Sequence, residues 1–103
     1  MFFFQCAVDC TPSDVQQAQN NPDAIIIDYR THSEALGGSV RGAHVKDWLG
    51  GELHRAVSQW DKVQSYYLFS RSGNRSKQAV TFMRKQGFER VFNAGGYDQL
   101  RDL

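Results

Sequence analysis

The segment YYLFSRSGNRS, which runs from Tyr66 to Ser76, contains the change of pattern that decides the fold. Residues 66–69 form a short apolar run, which is typical of a buried strand. Residues 70–75 are polar and include Gly73, which predicts a loop. From Ser76 to Gln86 the apolar residues recur at helical spacing, and Gly87 then ends the predicted helix. A strand that passes through a short loop into a helix indicates an α/β domain.

The same alternation extends over the rest of the chain. The other predicted elements are, in order, a strand at Phe2–Val8, a helix that Thr11 caps and that ends before Asn21, a strand at Ala24–Ile27, a short helix at Ser33–Leu36, a strand at Val40–Val45, an amphipathic helix near residues 49–60, a strand at Arg90–Phe92 and a terminal helix at Tyr97–Leu103. Gly95 and Gly96 are expected to break the last strand. This order predicts a mainly parallel sheet.

Length and charge restrict the classes of function. The 103 residues suffice for one small domain, predicted to occupy residues 1–103, and the 41% hydrophobic content suffices for a packed core. The net charge of +1 lacks the basic excess of a nucleic-acid binder. No apolar run reaches the roughly 18 residues that span a membrane. Met1 to Phe4 lack the flanks of a signal peptide, although removal of an earlier leader segment stays open.

Cys6 and Cys10 are the only cysteines. If both lie on one extended strand, roughly 13 Å separates them, which is too far for a disulfide. They also lack the neighbouring ligands of a metal site, so we expect neither a metal nor another cofactor. A chain without disulfides fits a reducing, cytoplasmic setting.

The loop after residue 69 has the features of an anion pocket. Ligands of open α/β sheets bind beyond the carboxyl ends of strands, and a helix N-terminus there offers free N–H groups. Gly73 allows several N–H groups to converge on one point, while Arg71 and Arg75 add positive charge. Residues 62–88 contain six basic residues and no acidic one. The alternative interpretation is an ordinary surface turn with solvated arginines.

The loop resembles that of the rhodanese family, which carries Cys-Arg-x-Gly-x-Arg-Ser at such a turn. Only the first position differs, because Ser70 stands where the family has its catalytic cysteine. The resemblance covers most of the chain. The other matching segments are Ile26–Arg30, which ends in Asp-x-Arg, Glu34, Gly38–Ala43 with departures at Ser39 and Arg41, Gly87-Phe88, and Val91–Gly96 followed by Tyr97.

This resemblance implies a rhodanese-like α/β fold with a central, mainly parallel sheet flanked by helices on both faces. It also implies transfer of sulfane sulfur from thiosulfate or a persulfide to cyanide or a thiol, without a cofactor. Any protein partner is unknown. The implied substrate-binding residues are Arg71, Ser72, Gly73, Asn74 and Arg75, whose N–H groups would cradle a persulfide, and the implied loop supports are Ser76, Asp28 and Arg30. Asp28 alternatively only ends its strand.

Ser70 is incompatible with that chemistry. A thiol titrates near about 8.5 and can be shifted to neutral pH, whereas an alkyl hydroxyl cannot be ionised by the same pocket. Oxygen also cannot form a persulfide. We therefore expect a catalytically silent chain. Either Ser70 is an engineered replacement in an active sulfurtransferase, or the chain is a naturally inactive member that binds an anion, a persulfide or a protein.

Two other enzyme classes fit less well. A serine hydrolase would need a placed base, yet the pattern Gly-x-Ser-x-Gly is absent and no motif places His32, His44 or His54. Cell-cycle dual-specificity phosphatases share the resembled fold. Their loop is one residue longer than the four residues that separate Ser70 from Arg75 here. The tighter loop suits a sulfur atom better than a phosphate group.

Overall fold

The structure is a computed structural model that describes residues 8–103. Its helices are α1 (Pro12–Gln19), α2 (His32–Leu36), α3 (Glu52–Ala56) and α4 (Asn74–Lys85), and its strands are β1 (Ala24–Asp28), β2 (His44–Val45), β3 (Ser65–Ser70) and β4 (Arg90–Gly96). Short 3-10 helices occupy Val57–Gln59 and Tyr97–Gln99. The described strands form a parallel sheet in the order β2-β1-β3-β4.

The two apolar runs of the sequence are the central strands, β1 and β3. Their side chains alternate between two hydrophobic clusters, because successive residues of a strand point to opposite faces. Ile27 and Leu68 pack on one face with residues of α3 and α4. Ile26 and Phe69 pack on the other face with residues of α1. The predicted α/β fold, with a mainly parallel sheet and helices on both faces, is confirmed.

The predicted helix near residues 49–60 is wrong at its start. The helix α3 begins only at Glu52, after Gly51 adopts a φ of +70°. The Asp47 carboxylate accepts the N–H groups of Leu49 and Gly50 and so closes a turn there. Leu49 is consequently 72% exposed. Helical spacing does not reveal a short aspartate side chain that competes for backbone donors.

The predicted strand from Val40 to Val45 contains only His44 and Val45. Its first part is a turn, in which the N–H of Ala43 donates to the carbonyl of Val40. Val40 is nevertheless buried, because it packs on the α1 face of the sheet. An apolar residue in a turn therefore gave the appearance of a strand.

Gly95 and Gly96 do not break β4, which continues to Gly96. Leu68 pairs with Asn93 whereas Phe69 pairs with Gly95, so Ala94 is the extra residue of a β-bulge. The terminal helix is also shorter than predicted, since only the 3-10 turn Tyr97–Gln99 forms. The predicted first strand lies outside the described residues, except for Val8, which is not in a strand.

The predicted cap of the first helix is confirmed. The Thr11 side chain accepts the N–H of Asp14, the Asp14 carboxylate accepts the N–H of Thr11, and Pro12 occupies the first turn. Within residues 8–103, no helix combines the length and apolar character that crossing a bilayer requires.

Truncating Leu53 should destabilise the domain far more than truncating Leu49. Leu53 is fully buried in the cluster beneath α3 and α4, so Leu53→Ala should lower the free energy of unfolding by about 2–5 kcal/mol. Leu49→Ala removes an exposed side chain and should change it by less than about 0.5 kcal/mol. Urea unfolding measures both, and equal effects would contradict the placement of α3.

Candidate active-site loop

The loop lies where β3 passes into α4. The strand ends at Ser70 and the helix begins at Asn74, earlier than the predicted start at Ser76. Gly73 precedes the helix with a φ of +96°, a conformation that side chains rarely adopt. This left-handed residue reverses the chain within three residues and directs the first N–H groups of the helix back toward the end of β3.

Ser70 lies at the point on which these N–H groups converge. Its side chain is fully buried. Its Oγ accepts the N–H groups of Gly73 and Ser76, each at 3.1 Å, and lies 3.1 Å from the Ser76 Oγ. Because α4 is 12 residues long, its N-terminus also contributes a partial positive charge at this point. Such a site stabilises an electron-rich atom.

The other predicted loop residues separate into an inner floor and an outer rim. Gly73 and Ser76 are buried together with Ser70, whereas Arg71, Ser72 and Asn74 are exposed and Arg75 is half-buried. Within residues 8–103, Arg71 forms no ion pair. Its guanidinium therefore remains available to an anion that approaches the rim.

Arg75 connects the first turn of α4 to α2. Its Nη1 lies 2.8 Å from the Glu34 Oε1, and the guanidinium stacks over the Trp48 ring at 4.8 Å from its centroid. Glu34 also caps α2 through Thr31. The hydrogen bond from Arg75 lowers the pKa of Glu34 to about 2. This arginine thus links the loop to α2.

Asp28 and Arg30 come together as a buried ion pair. The Arg30 Nε and Nη2 donate to the two Asp28 oxygens at 2.8 and 2.7 Å. Ser39 donates to Asp28, and Arg30 donates to the carbonyl of Gly38, so the pair fastens the segment after α2. Among the described residues, neither the Asp28 nor the Arg30 side chain forms a hydrogen bond with residues 70–76. Asp28 therefore holds the neighbouring Arg30.

Two residues that hold the loop were missed by the sequence reasoning. Asn93 is 1% exposed, and its side chain bonds to both Gly73 and Ser76. Gly96 lies under the rim, where an added Cβ would be 3.0 Å from the carbonyl oxygen of Arg71. The available signal was a polar residue inside an apolar strand pattern, followed by paired glycines.

Two cavities lined by the described residues lie away from Ser70. One of about 350 Å³ lies toward the amino ends of β1 and β3, where Ile25 and Tyr66 line it. Another of about 410 Å³ adjoins the outer side of the loop and is lined by Asn74, Lys77, Gln78 and Thr81. The candidate site is the loop, because the N–H groups and the helix N-terminus converge there.

The parallel sheet and the Ser-Arg-Ser-Gly-Asn-Arg-Ser loop at its carboxyl edge define an α/β domain with a strand-to-helix turn at Ser70. The chain belongs to the family of rhodanese-like domains, whose pattern it matches over residues 11–102. The resemblance inferred from the motifs is therefore confirmed.

The individual relatives have low sequence identity to this chain. A sulfurtransferase of Allochromatium vinosum is 30% identical over 84 residues, covering 79% of this chain and 74% of that protein. A tRNA uridine(34) hydroxylase of Acaryochloris marina is 27% identical over 94 residues, covering 82% of this chain but only 29% of that longer protein. Among solved structures, a rhodanese with anions from E. coli is 26% identical with a TM-score of 0.65, covering 74% of this chain and 89% of that one.

Glu34→Gln should weaken the link between the loop and α2 in a pH-dependent manner. The folded-state pKa of Glu34 lies below its usual value, so the stabilisation is present above about pH 4.5 and is lost as the pH falls toward 2. Both partners are about a quarter exposed, so we expect a loss of about 1 kcal/mol at neutral pH. Urea unfolding from pH 7 to pH 2 should show the difference between the two proteins shrinking. The exposed Glu89→Gln serves as control, and a pH-independent difference would contradict the assignment.

Proposed function

We propose that this domain binds a small sulfur-containing anion, such as thiosulfate or a persulfide group, at residues 70–76 and does not itself transfer sulfur. The hydrogen bonding of Ser70 carries this proposal. A hydroxyl has one proton and two acceptor positions. Two N–H groups occupy the acceptor positions, and the Ser76 Oγ lies within reach of the proton. The Ser70 oxygen is therefore held as a neutral, fully hydrogen-bonded hydroxyl.

The chemistry of oxygen supports the same conclusion. Nucleophilic transfer requires an activated nucleophile, either through a base or through a lowered pKa. The described neighbours of Ser70 supply N–H donors, which favour an anion but remove no proton. A histidine base is lacking among the hydrogen-bond partners of Ser70 in residues 8–103. The hydroxyl therefore stays neutral and cannot carry a sulfane sulfur.

Binding at the rim is supported by charge and by relatives. Arg71 is exposed, and the start of α4 presents its positive end toward the loop. The E. coli relative is a rhodanese with anions, and the A. vinosum relative is a sulfurtransferase. By analogy, the ligand here is a thiosulfate-like anion or the persulfide of a thiol, which in an active relative would pass sulfur to a thiol or cyanide.

A second candidate is favoured by the completeness of the loop. The N–H groups of Gly73 and Ser76 and the N-terminus of α4 are groups that would also stabilise a thiolate at position 70. If Ser70 replaces a cysteine of an active parent, restoring the thiol should restore sulfur transfer. This candidate differs from the binding module only in its origin and in what the cysteine variant does.

Anion binding should be detectable without a thiol. Thiosulfate and sulfate should bind weakly and should perturb the backbone amide signals of residues 71–76 in NMR titrations. Arg71→Ala should weaken the binding about tenfold, because a charge-assisted contact is lost. Lys62→Ala removes a charge beyond the amino end of β3 and should leave the titration unchanged. Perturbations confined to other residues would exclude this pocket.

Ser70→Cys should create sulfurtransferase activity that the unmodified chain lacks. Thiosulfate with cyanide should then yield thiocyanate, and peptide mass spectrometry should find one added sulfur on residue 70. Burial, with help from Asp14 and Asp9, raises the pKa of Cys10 to about 12, so this thiol should not contribute near neutral pH.

Comparing the unmodified chain with the Ser70→Cys variant distinguishes the binding module from a domain derived from an active sulfurtransferase. A folded Ser70→Cys variant that forms no persulfide with thiosulfate would favour the pure binding module. Turnover by the unmodified chain at a comparable rate would overturn the silent role of Ser70.

A further inference from the structure

The cavity of about 350 Å³ lies on the face of the sheet that α3 and α4 cover, toward the amino ends of β1 and β3. It borders the part of β1 that the short β2 leaves uncovered. The strand β2 pairs with β1 only at Ile27 and Asp28, so Ile25 has no strand partner on that side. A cavity of this volume falls within the range of small-molecule sites.

One wall of the cavity is aromatic and firmly held. The rings of Trp60 and Tyr66 stack with their centroids 5.4 Å apart and an angle of 9° between their planes. Tyr66 is fixed in turn, because Phe88 packs edge-on against its ring and its hydroxyl donates to the Asp61 carbonyl at 2.6 Å. Ile25 adds an aliphatic surface beside the rings. A planar apolar group can therefore lie against a preformed wall.

The charged side chains that line the cavity keep their bonding capacity. Lys46 and His44 come from β2 and the residue after it, and Asp61 comes from the segment before β3. Within residues 8–103, the half-buried Lys46 forms neither an ion pair nor a side-chain hydrogen bond. One carboxylate oxygen of Asp61 accepts the N–H of Val63. A half-buried ammonium group without a partner is one that an anion would satisfy.

The balance of charge around the cavity selects the kind of anion. Lys46 brings one full positive charge, and Asp61 brings one negative charge without forming an ion pair with Lys46. A doubly charged group such as a phosphate would gain from Lys46 but would be repelled by Asp61. A single carboxylate requires only the one ammonium group.

We propose that this cavity is a second binding site, which takes a small aromatic carboxylate with its ring along Trp60 and its carboxylate on Lys46. The site is separate from the loop at residues 70–76. Tyr66 precedes Ser70 by four residues of an extended strand, so roughly 13 Å lies between them. The inference is therefore independent of the proposed function of the loop.

Three ligands of similar size test the site on the unmodified chain: benzoate, its neutral analogue benzamide, and the saturated cyclohexanecarboxylate. In NMR titrations at pH 7, benzoate should perturb the backbone amide signals of Ile25, His44, Lys46, Trp60 and Tyr66. Benzamide should bind about tenfold more weakly, because it lacks the charge-assisted contact with Lys46. Cyclohexanecarboxylate should bind about threefold more weakly, because a saturated ring cannot stack on Trp60.

Two variants assign these preferences to residues. Lys46→Met removes the ammonium group but keeps a long side chain, so benzoate and benzamide should then bind equally. Lys85→Met removes an exposed charge that does not line the cavity and should preserve the tenfold difference. Trp60→Leu should abolish the preference for benzoate over cyclohexanecarboxylate.

The inference is overturned if benzoate perturbs no amide at the cavity, or only those of residues 71–76, since the loop alone would then bind anions. A benzoate preference that persists in full in Lys46→Met overturns it as well. If that variant does not fold, the unmodified chain decides: equal binding of benzoate and benzamide contradicts the proposal, and the expected order of the three ligands supports it. Failure of the proposed function would instead appear as thiosulfate that leaves residues 71–76 unperturbed, whatever benzoate does.

Discussion

The first N–H groups of a helix have no partners within the helix, and the arrangement around Ser70 follows from that constraint. Gly73 and Ser76 both direct their amides at the Ser70 hydroxyl, which is fully buried. Their convergence requires a reversal of the chain within three residues, which the left-handed Gly73 allows. The Ser70 oxygen, which accepts these N–H groups, therefore also lies at the centre of the candidate site.

Three separate parts of the fold hold this centre in place. On one side, Arg75 joins the helix to Glu34 and lies over Trp48. Beneath the loop, Asn93 binds both the turn and the helix. At the rim, Gly96 lets the backbone of the loop lie directly on the last strand, where a side chain would collide with it. Only the first of these involves charged side chains, so most of the support is insensitive to salt.

The sequence allowed prediction of those features whose cause is local. Buried strands such as Ala24–Ile27, the capped start of α1 and the loop at residue 70 all follow from neighbouring residues. The failures involve competing local bonds or tertiary pairing. Asp47 delays the start of α3, and the register of β3 against β4 keeps Gly95 in the strand. The role of Asn93 depends on a contact between residues 17 positions apart, which no local pattern encodes.

The bulge at Ala94 couples the chemistry of the loop to the length of the chain. A β-bulge bends its strand and redirects the neighbouring side chains, so losing Ala94 would straighten β4 and change the direction in which Asn93 meets the helix. Insertions and deletions in this short stretch should therefore disturb the loop, even where single substitutions are tolerated. The exposed Arg71, Ser72 and Asn74 are under no such restriction. Substitutions at these exposed positions can thus change the outer surface of the loop while its buried residues stay the same.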